Sequence, residues 1–178
     1  MKLAFTKMHG CGNNYIYFNC FDQTVPDPES LSIKLSEPHF GIGGDGIILI
    51  SPSDKADAQM RIFNADGSEG KMCGNGIRCV GKYLYDNGMT DGRTTITIDT
   101  LSGVKTLELT VKDGKMQSAR VDMGAAILAP REIPVDMDGE NVISAPIVVD
   151  EKVYHMTCVS MGNPHSVIFQ KEDVDDLD

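Results

Sequence analysis

The sequence predicts an α+β fold, and three observations carry that reading. Apolar runs of strand length recur along most of the chain, among them Tyr15 to Phe21, Ile47 to Ile50 and Ala58 to Phe63. Only two segments read as helices. The stronger follows Cys73, where Ile77, Val80, Gly81 and Leu84 recur at helical spacing. Finally, Gly12-Asn13 and Gly162-Asn163 both stand between strand-like runs, and this short echo points to two similar units. On that reading the first unit covers residues 1–117 and the second opens at 118.

Taken in order, Leu3 to Met8 and Tyr15 to Phe21 read as strands joined by a glycine-rich loop, His9 to Asn14. Asp27-Pro28-Glu29 has an N-cap, an N1 proline and a first-turn acid, so a helix starts there and must end before Pro38. Gly41-Ile42-Gly43-Gly44-Asp45-Gly46 matches a dinucleotide-binding glycine pattern literally. Its context is wrong, because a helix precedes it and the β run Ile47 to Ile50 follows. These glycines are better read as points where backbone approaches backbone or substrate closely.

Ala58 to Phe63 runs into an Asn64-Ala65-Asp66-Gly67 turn, and the helix after Cys73 continues to about Asn87, with Gly88 placed for a left-handed cap. Thr94 to Thr100 and Val104 to Lys112 alternate as paired strands, and Asp113-Gly114 signals a hairpin into Met116 to Met123. Pro130 and Pro134 mark a loop-rich passage before strands at Ala145 to Val149 and Val153 to Ser160. The ending, Glu172 to Asp178, reads as a solvated acidic tail or the start of another helix.

Composition narrows the function classes. A net charge of −10 argues against nucleic acid or an anionic membrane as partner. No apolar run approaches transmembrane length, and Met1-Lys2-Leu3-Ala4-Phe5 opens without a secretory signal core. Five cysteines without paired spacing fit a reducing cytoplasm rather than a disulfide framework. His9 and Cys11 lie close, but no second pair stands at ligand spacing, so no metal is expected.

The chemistry concentrates at Cys73. In the first turn of a helix, unpaired N–H groups and the positive end of the helix dipole favour a thiolate. Gly74 and Gly76 leave those N–H groups uncovered for a bound carboxylate. The competing reading is a small cysteine kept for packing. Cys20, Cys79 and Cys158 are assigned to packing, and Cys73 is expected to be the most reactive thiol.

The words around Cys73 are more specific than the cysteine. Phe63-Asn64-Ala65-Asp66-Gly67-Ser68, followed by Met72-Cys73-Gly74-Asn75-Gly76-Ile77-Arg78-Cys79, resembles the signature of the diaminopimelate epimerases, racemases that use no pyridoxal phosphate. Lys7-Met8-His9-Gly10-Cys11-Gly12-Asn13 and Gly162-Asn163-Pro164-His165 resemble the same family, with Cys11 where an aliphatic residue is usual and Asn14 where Asp is usual. The resemblance implies a curved mixed sheet wrapped around a central helix, in two similar domains. It also implies epimerisation of LL- to meso-diaminopimelate, for lysine and peptidoglycan precursors, by two cysteines acting as acid and base without a cofactor. Cys73 matches the first of these. Asn13, Asn64 and Asn163 match substrate-binding residues, Gly74 and Asn75 would hold the α-carboxylate, and His165 would support the second face. Arg78 and Asp66 are read as loop supports.

Cys73 lies 60 residues after Asn13 (73 − 13), so a counterpart after Asn163 falls near position ~223 by the same repeat. The expectation is therefore an amino-terminal domain with the opening strands of a second, inactive or weak alone, with room for a homodimer. Two alternatives stand beside it: a related racemase or isomerase of another amino or hydroxy acid, and a non-catalytic ligand-binding fragment.

Overall fold

The computed structural model describes residues 2–171. The acidic stretch Glu172 to Asp178, with its tail-or-helix reading, lies outside the described residues. The described residues fall into two units that divide after Met123, and β-strands dominate both, with two α-helices in the first.

The first unit is a mixed sheet built on a buried helix. Strand β1 (Thr6–Gly10) forms a hairpin with β2 (Asn13–Asn19), whose register pairs Gly10 with Asn13. The expected six-residue loop shrinks to the pair Cys11-Gly12. Both have positive φ, 54° and 84°, as the tightest hairpin turns require. Helix α1 (Pro28–Ser36) starts where expected, the Asp27 carboxylate accepting from Ser30 N–H at 3.2 Å. β3 (Gly46–Ser51) lies parallel to β2, and β4 (Ala58–Asn64) antiparallel to β3. A two-residue strand, β5 (Glu69–Gly70), turns back onto β4, which the sequence did not suggest. Helix α2 (Gly74–Asp86) follows. β6 (Thr95–Thr100), β7 (Gly103–Lys112) and β8 (Lys115–Val121) complete an order of β1-β2-β3-β4-β6-β7-β8.

The burial pattern explains the layering. Tyr15 to Phe18 and Ile47 to Ile50 are continuously buried, as in central parallel strands covered on both faces. One face packs Tyr15, Tyr17, Ile48 and Ile50 against Ile77, Val80 and Leu84 of α2; the other packs Ile16, Phe18, Ile47 and Leu49 near Leu31 and Leu35 of α1. β6 and β7 are covered on one side, so Ile96, Ile98, Leu107 and Leu109 alternate with polar neighbours. Helix α2 packs against both β1 and β8, the opposite edges of the sheet, so the sheet curls around it. At its far end Gly88 N–H bonds Tyr85 O and Met89 N–H bonds Leu84 O, with Gly88 at φ 74°.

Close approach explains Gly46. A Cβ there would stand 2.1 Å from Phe63 O, on the neighbouring strand. The glycine-rich segment thus brings backbone against backbone.

The second unit has a small core of Ile133, Val142 and Cys158. A 3₁₀ turn at Pro130–Glu132 precedes β9 (Ala145–Val149), β10 (Lys152–Ser160) and β11 (Pro164–Ile168), antiparallel in the order β11-β10-β9. Val148, Val153 and Phe169 remain exposed.

Candidate active site

Cys73 is the N-cap of α2, one position before the first helical residue and not inside the first turn. Its extended backbone (φ −139°, ψ 110°) turns the side chain back over the helix start, where Sγ accepts from Gly76 N–H at 3.3 Å. The sulfur thus takes the place that a serine or aspartate oxygen usually fills. Ile77 N–H already bonds Cys73 O at 2.9 Å. That leaves the amides of Gly74 and Asn75 ahead of the first intrahelical bond, where a helix meets anions best. An open cleft of about 270 Å³ adjoins them, lined by Gly74, Asn75, Arg78, Ala119, Val121 and Met123.

Helix α2 approaches the sheet closely enough to set this geometry. A Cβ on Gly76 would lie 2.7 Å from Ile48 Cδ1, so a larger residue there requires the buried Ile48 side chain or the helix start to shift.

The structure brings Asn13 to Cys73, with Asn13 Oδ1 3.8 Å from Sγ. Asn13 opens β2, and the residues on its side of that strand, Tyr15 and Tyr17, face α2. The Tyr15 hydroxyl is pushed up to about 12, by burial first and then by Cys73. Further along the helix, burial raises both Tyr17 and Cys79.

Asn64 ends β4 and is turned into its own loop, its Nδ2 donating to Ser68 Oγ at 3.0 Å and its backbone N–H to Ser68 O at 2.8 Å. Asp66 holds that loop, accepting from Ser68 N–H at 2.9 Å and Ser68 Oγ–H at 2.6 Å; these two bonds keep its carboxyl below the ordinary range. Arg78 donates to the Asn75 side-chain oxygen and reaches Cys11 Sγ at 3.5 Å, tying helix start to hairpin turn. Asn163 and His165 sit in the second unit, at the β10–β11 turn, with His165 Nε2 donating to Asn163 Oδ1 at 3.1 Å. Both side chains are exposed.

Sequence reasoning passed over Tyr15 and Asp45. The signal for Tyr15 was present, since Asn13, Tyr15 and Tyr17 share one face of a strand by simple alternation. Nothing local marked Asp45, whose role depends on where the chain places Asn14.

Comparison with known proteins follows the same lines. The diaminopimelate epimerase family model matches residues 5–129. A diaminopimelate epimerase of Acetivibrio thermocellus is 56% identical over 169 residues, covering 95% of this chain and 60% of that protein. One from Methanococcus maripaludis is 52% identical over 175 residues, covering 98% and 62%. The chain therefore spans about 60% of the length of these curated relatives. Among solved structures, a probable proline racemase from Agrobacterium radiobacter matches with a TM-score of 0.71 at 16% identity, covering 94% of this chain and 52% of that one. A hydroxyproline epimerase from Agrobacterium vitis matches with a TM-score of 0.65 at 16% identity, covering 92% and 50%. At that identity the two structures speak for the fold alone. Given a family model that takes in the first unit from residue 5 onward, and relatives more than half identical along nearly all of the chain, the chain belongs to the diaminopimelate epimerase family.

Proposed function

We propose that this chain serves one face of the acid–base chemistry that interconverts LL- and meso-diaminopimelate, with Cys73 exchanging the α-proton. The observation that carries the reading is the Cys73 sulfur seated at the N-cap of α2 on the Gly76 amide. The relatives named for that reaction support it.

As a thiolate, Cys73 takes the α-proton, and the C–H electron pair remains on the substrate, delocalised into its carboxylate. The Gly74 and Asn75 amides and the positive end of α2 hold that carboxylate as its charge grows. Asn13, Asn64 and Asn163 bind the substrate's other polar groups, and His165 supports the opposite face. Inversion is completed when a second thiol returns a proton to carbon from that face. One proton leaves and one arrives, a balance that calls for no cofactor. The second thiol comes from the counterpart domain that the unit opening at Gly124 begins.

The test is α-proton exchange in deuterated water, followed by chiral analysis of the product. The 178-residue chain is expected to exchange slowly and to invert far below the rate of a complete relative, and Cys73→Ala to abolish exchange. Full inversion by this chain would sink the two-domain assignment, and would require Cys11, His165 or a second copy's Cys73 to act as the other acid. Unchanged exchange in Cys73→Ala would sink the role of Cys73.

A further inference from the structure

Almost every polar group of Asn64 is committed within the protein. Its N–H donates to Ser68 O at 2.8 Å, and its carbonyl oxygen accepts from Gly67 N–H at 2.9 Å and from Ser32 Oγ–H at 2.8 Å. One proton of its Nδ2 goes to Ser68 Oγ at 3.0 Å. Among the described residues nothing donates to its Oδ1, which lies beside the bare Gly70, where a Cβ would stand 3.8 Å away. Ala65 N–H donates to Asp45 O at 3.1 Å, and Asp45 is bonded to Asn14, so this end of β4 is tied to the hairpin that carries Asn13.

Ser68 forces the direction of the Asn64 carboxamide. Asp66 Oδ1 accepts from Ser68 N–H at 2.9 Å and from Ser68 Oγ–H at 2.6 Å. Those two bonds hold the Asp66 carboxyl below the ordinary range, and an ionised carboxylate can only accept. The single hydroxyl proton of Ser68 is therefore spent on Asp66, and Ser68 Oγ can only accept from Asn64. A carboxamide turned the other way would set Oδ1 against an oxygen with no proton to give. The nitrogen must face the serine, and the oxygen must face away.

We propose that Ser68, itself held by Asp66, is a positioning residue for Asn64: it fixes the carboxamide so that Oδ1 meets the substrate as an acceptor for an ammonium group. This rests on the reading of Asn64 as a substrate-binding residue. A carboxylate has no proton for that oxygen, so of the charged groups on a diamino diacid only an ammonium fits it. An asparagine amide left free to turn offers either end to a ligand. Held in one orientation, it disfavours a diacid without amines, because the oxygen is then taken out of water with no donor.

Heteronuclear NMR of the 178-residue chain reads the Asn64 side-chain amide without any ligand. One Nδ2 proton should resonate downfield of its free-amide position and return to it in Ser68→Ala, while Ser68→Thr, which keeps the hydroxyl, should hold it downfield. The second arm titrates two probes against alkylation of Cys73 by iodoacetamide, followed by peptide mass spectrometry. The probes are diaminopimelate and pimelate, the same diacid without its two ammonium groups. In Ser68→Ala the concentration of diaminopimelate that half-protects Cys73 should rise about tenfold, the loss of one hydrogen bond to a charged group, and pimelate should protect as it does in the parent chain. Ser68→Thr should restore the parent value for diaminopimelate. An Asn64 amide signal that is the same in Ser68→Ala and the parent overturns the proposal. So does an equal loss of protection by both probes, which is general loosening of the loop, and so does a Ser68→Thr chain that behaves as Ser68→Ala. Should diaminopimelate fail to protect Cys73 in the parent chain, the reading of the site falls, and the amide signal still decides whether Ser68 orients Asn64.

Discussion

Asp45 and Asn14 exchange two hydrogen bonds. Asn14 N–H donates to Asp45 Oδ2 at 2.6 Å, and Asp45 N–H returns a bond to Asn14 O at 2.7 Å. This pairing clamps the glycine-rich segment before β3 onto the β1–β2 hairpin, next to Asn13. Lys7 adds to it, its Nζ donating to Ile42 O at 3.2 Å and to Gly43 O.

Removing the clamp should loosen the site without unfolding the sheet. In Asp45→Ala the Asn14 amide loses its acceptor, and a loss of about 1–3 kcal/mol is expected. Faster hydrogen exchange at the Asn14 amide, with the β6–β7 amides unchanged, is the readout. Equal protection at Asn14 in both proteins would mean the pair holds nothing.

Cys73→Ser should separate folding from chemistry. Serine is among the preferred N-cap residues, so stability should stay within about 1 kcal/mol of the parent chain. Proton exchange should drop by at least about 10²-fold, the scale of one general acid–base group. Thermal unfolding and exchange in deuterated water together decide this, and a variant that unfolds early or still exchanges contradicts the assignment.

Thiol reactivity should follow position. Cys11 is exposed in the hairpin turn and Cys73 is half-buried, while Cys79 and Cys158 are buried. Burial also raises Cys79 and Cys20. Limiting iodoacetamide at neutral pH should label Cys73 and Cys11 ahead of the rest. Early labelling of Cys79 or Cys158 would contradict the packing of α2 or of the second unit's core.

Gly46→Ala should be among the most damaging single methyl additions. The new Cβ would meet the Phe63 carbonyl oxygen, a backbone atom that a rotamer change cannot move. Separating β3 from β4 there should cost about 3 kcal/mol or more, at the upper end for overpacking. Denaturant unfolding measures it, and a loss under about 1 kcal/mol would refute the close approach.

Asp57 should make stability fall in acid. Burial pushes its carboxyl up, but Arg93 at 2.7 Å and the Thr97 N–H and hydroxyl, at 2.7 and 3.0 Å, outweigh that and hold it below the usual range. With the folded value depressed, the stabilisation is present above the ordinary carboxylate value of about 3.9 and is lost as pH falls through the folded value. Asp57→Asn should cost about 1–3 kcal/mol near neutral pH and flatten the acid limb of the stability curve. The same acid dependence in both proteins would place the effect elsewhere.

The elements of this fold were legible because each has a local cause. Asp27-Pro28 starts α1, the stripe Ile77, Val80, Gly81, Leu84 buries α2, and Gly88 ends it. Alternation exposed β6 and β7, and the turn residues placed most boundaries. The resemblance around Asn64 and Cys73 also pointed to the family that the comparisons show. Pairing was not legible. That β2 runs parallel to β3, that β4 also carries the short β5, and that β1 and β8 both reach α2 depend on contacts between distant residues, which carry no mark in a local window.

Sequence by itself thus determined the family and the two helices, with α2 following directly on Cys73, since capping, periodicity and side-chain type act within a few residues. Only the tertiary structure decided that Cys73 caps α2 through its sulfur, that Asn13 stands 3.8 Å from it across 60 residues of chain, and that Tyr15 lies in the core cluster against which Cys73 packs. Those distances follow from the closeness of α2 to β3, set by Ile48 against the bare Gly76, and packing of that kind exists only once the chain has folded.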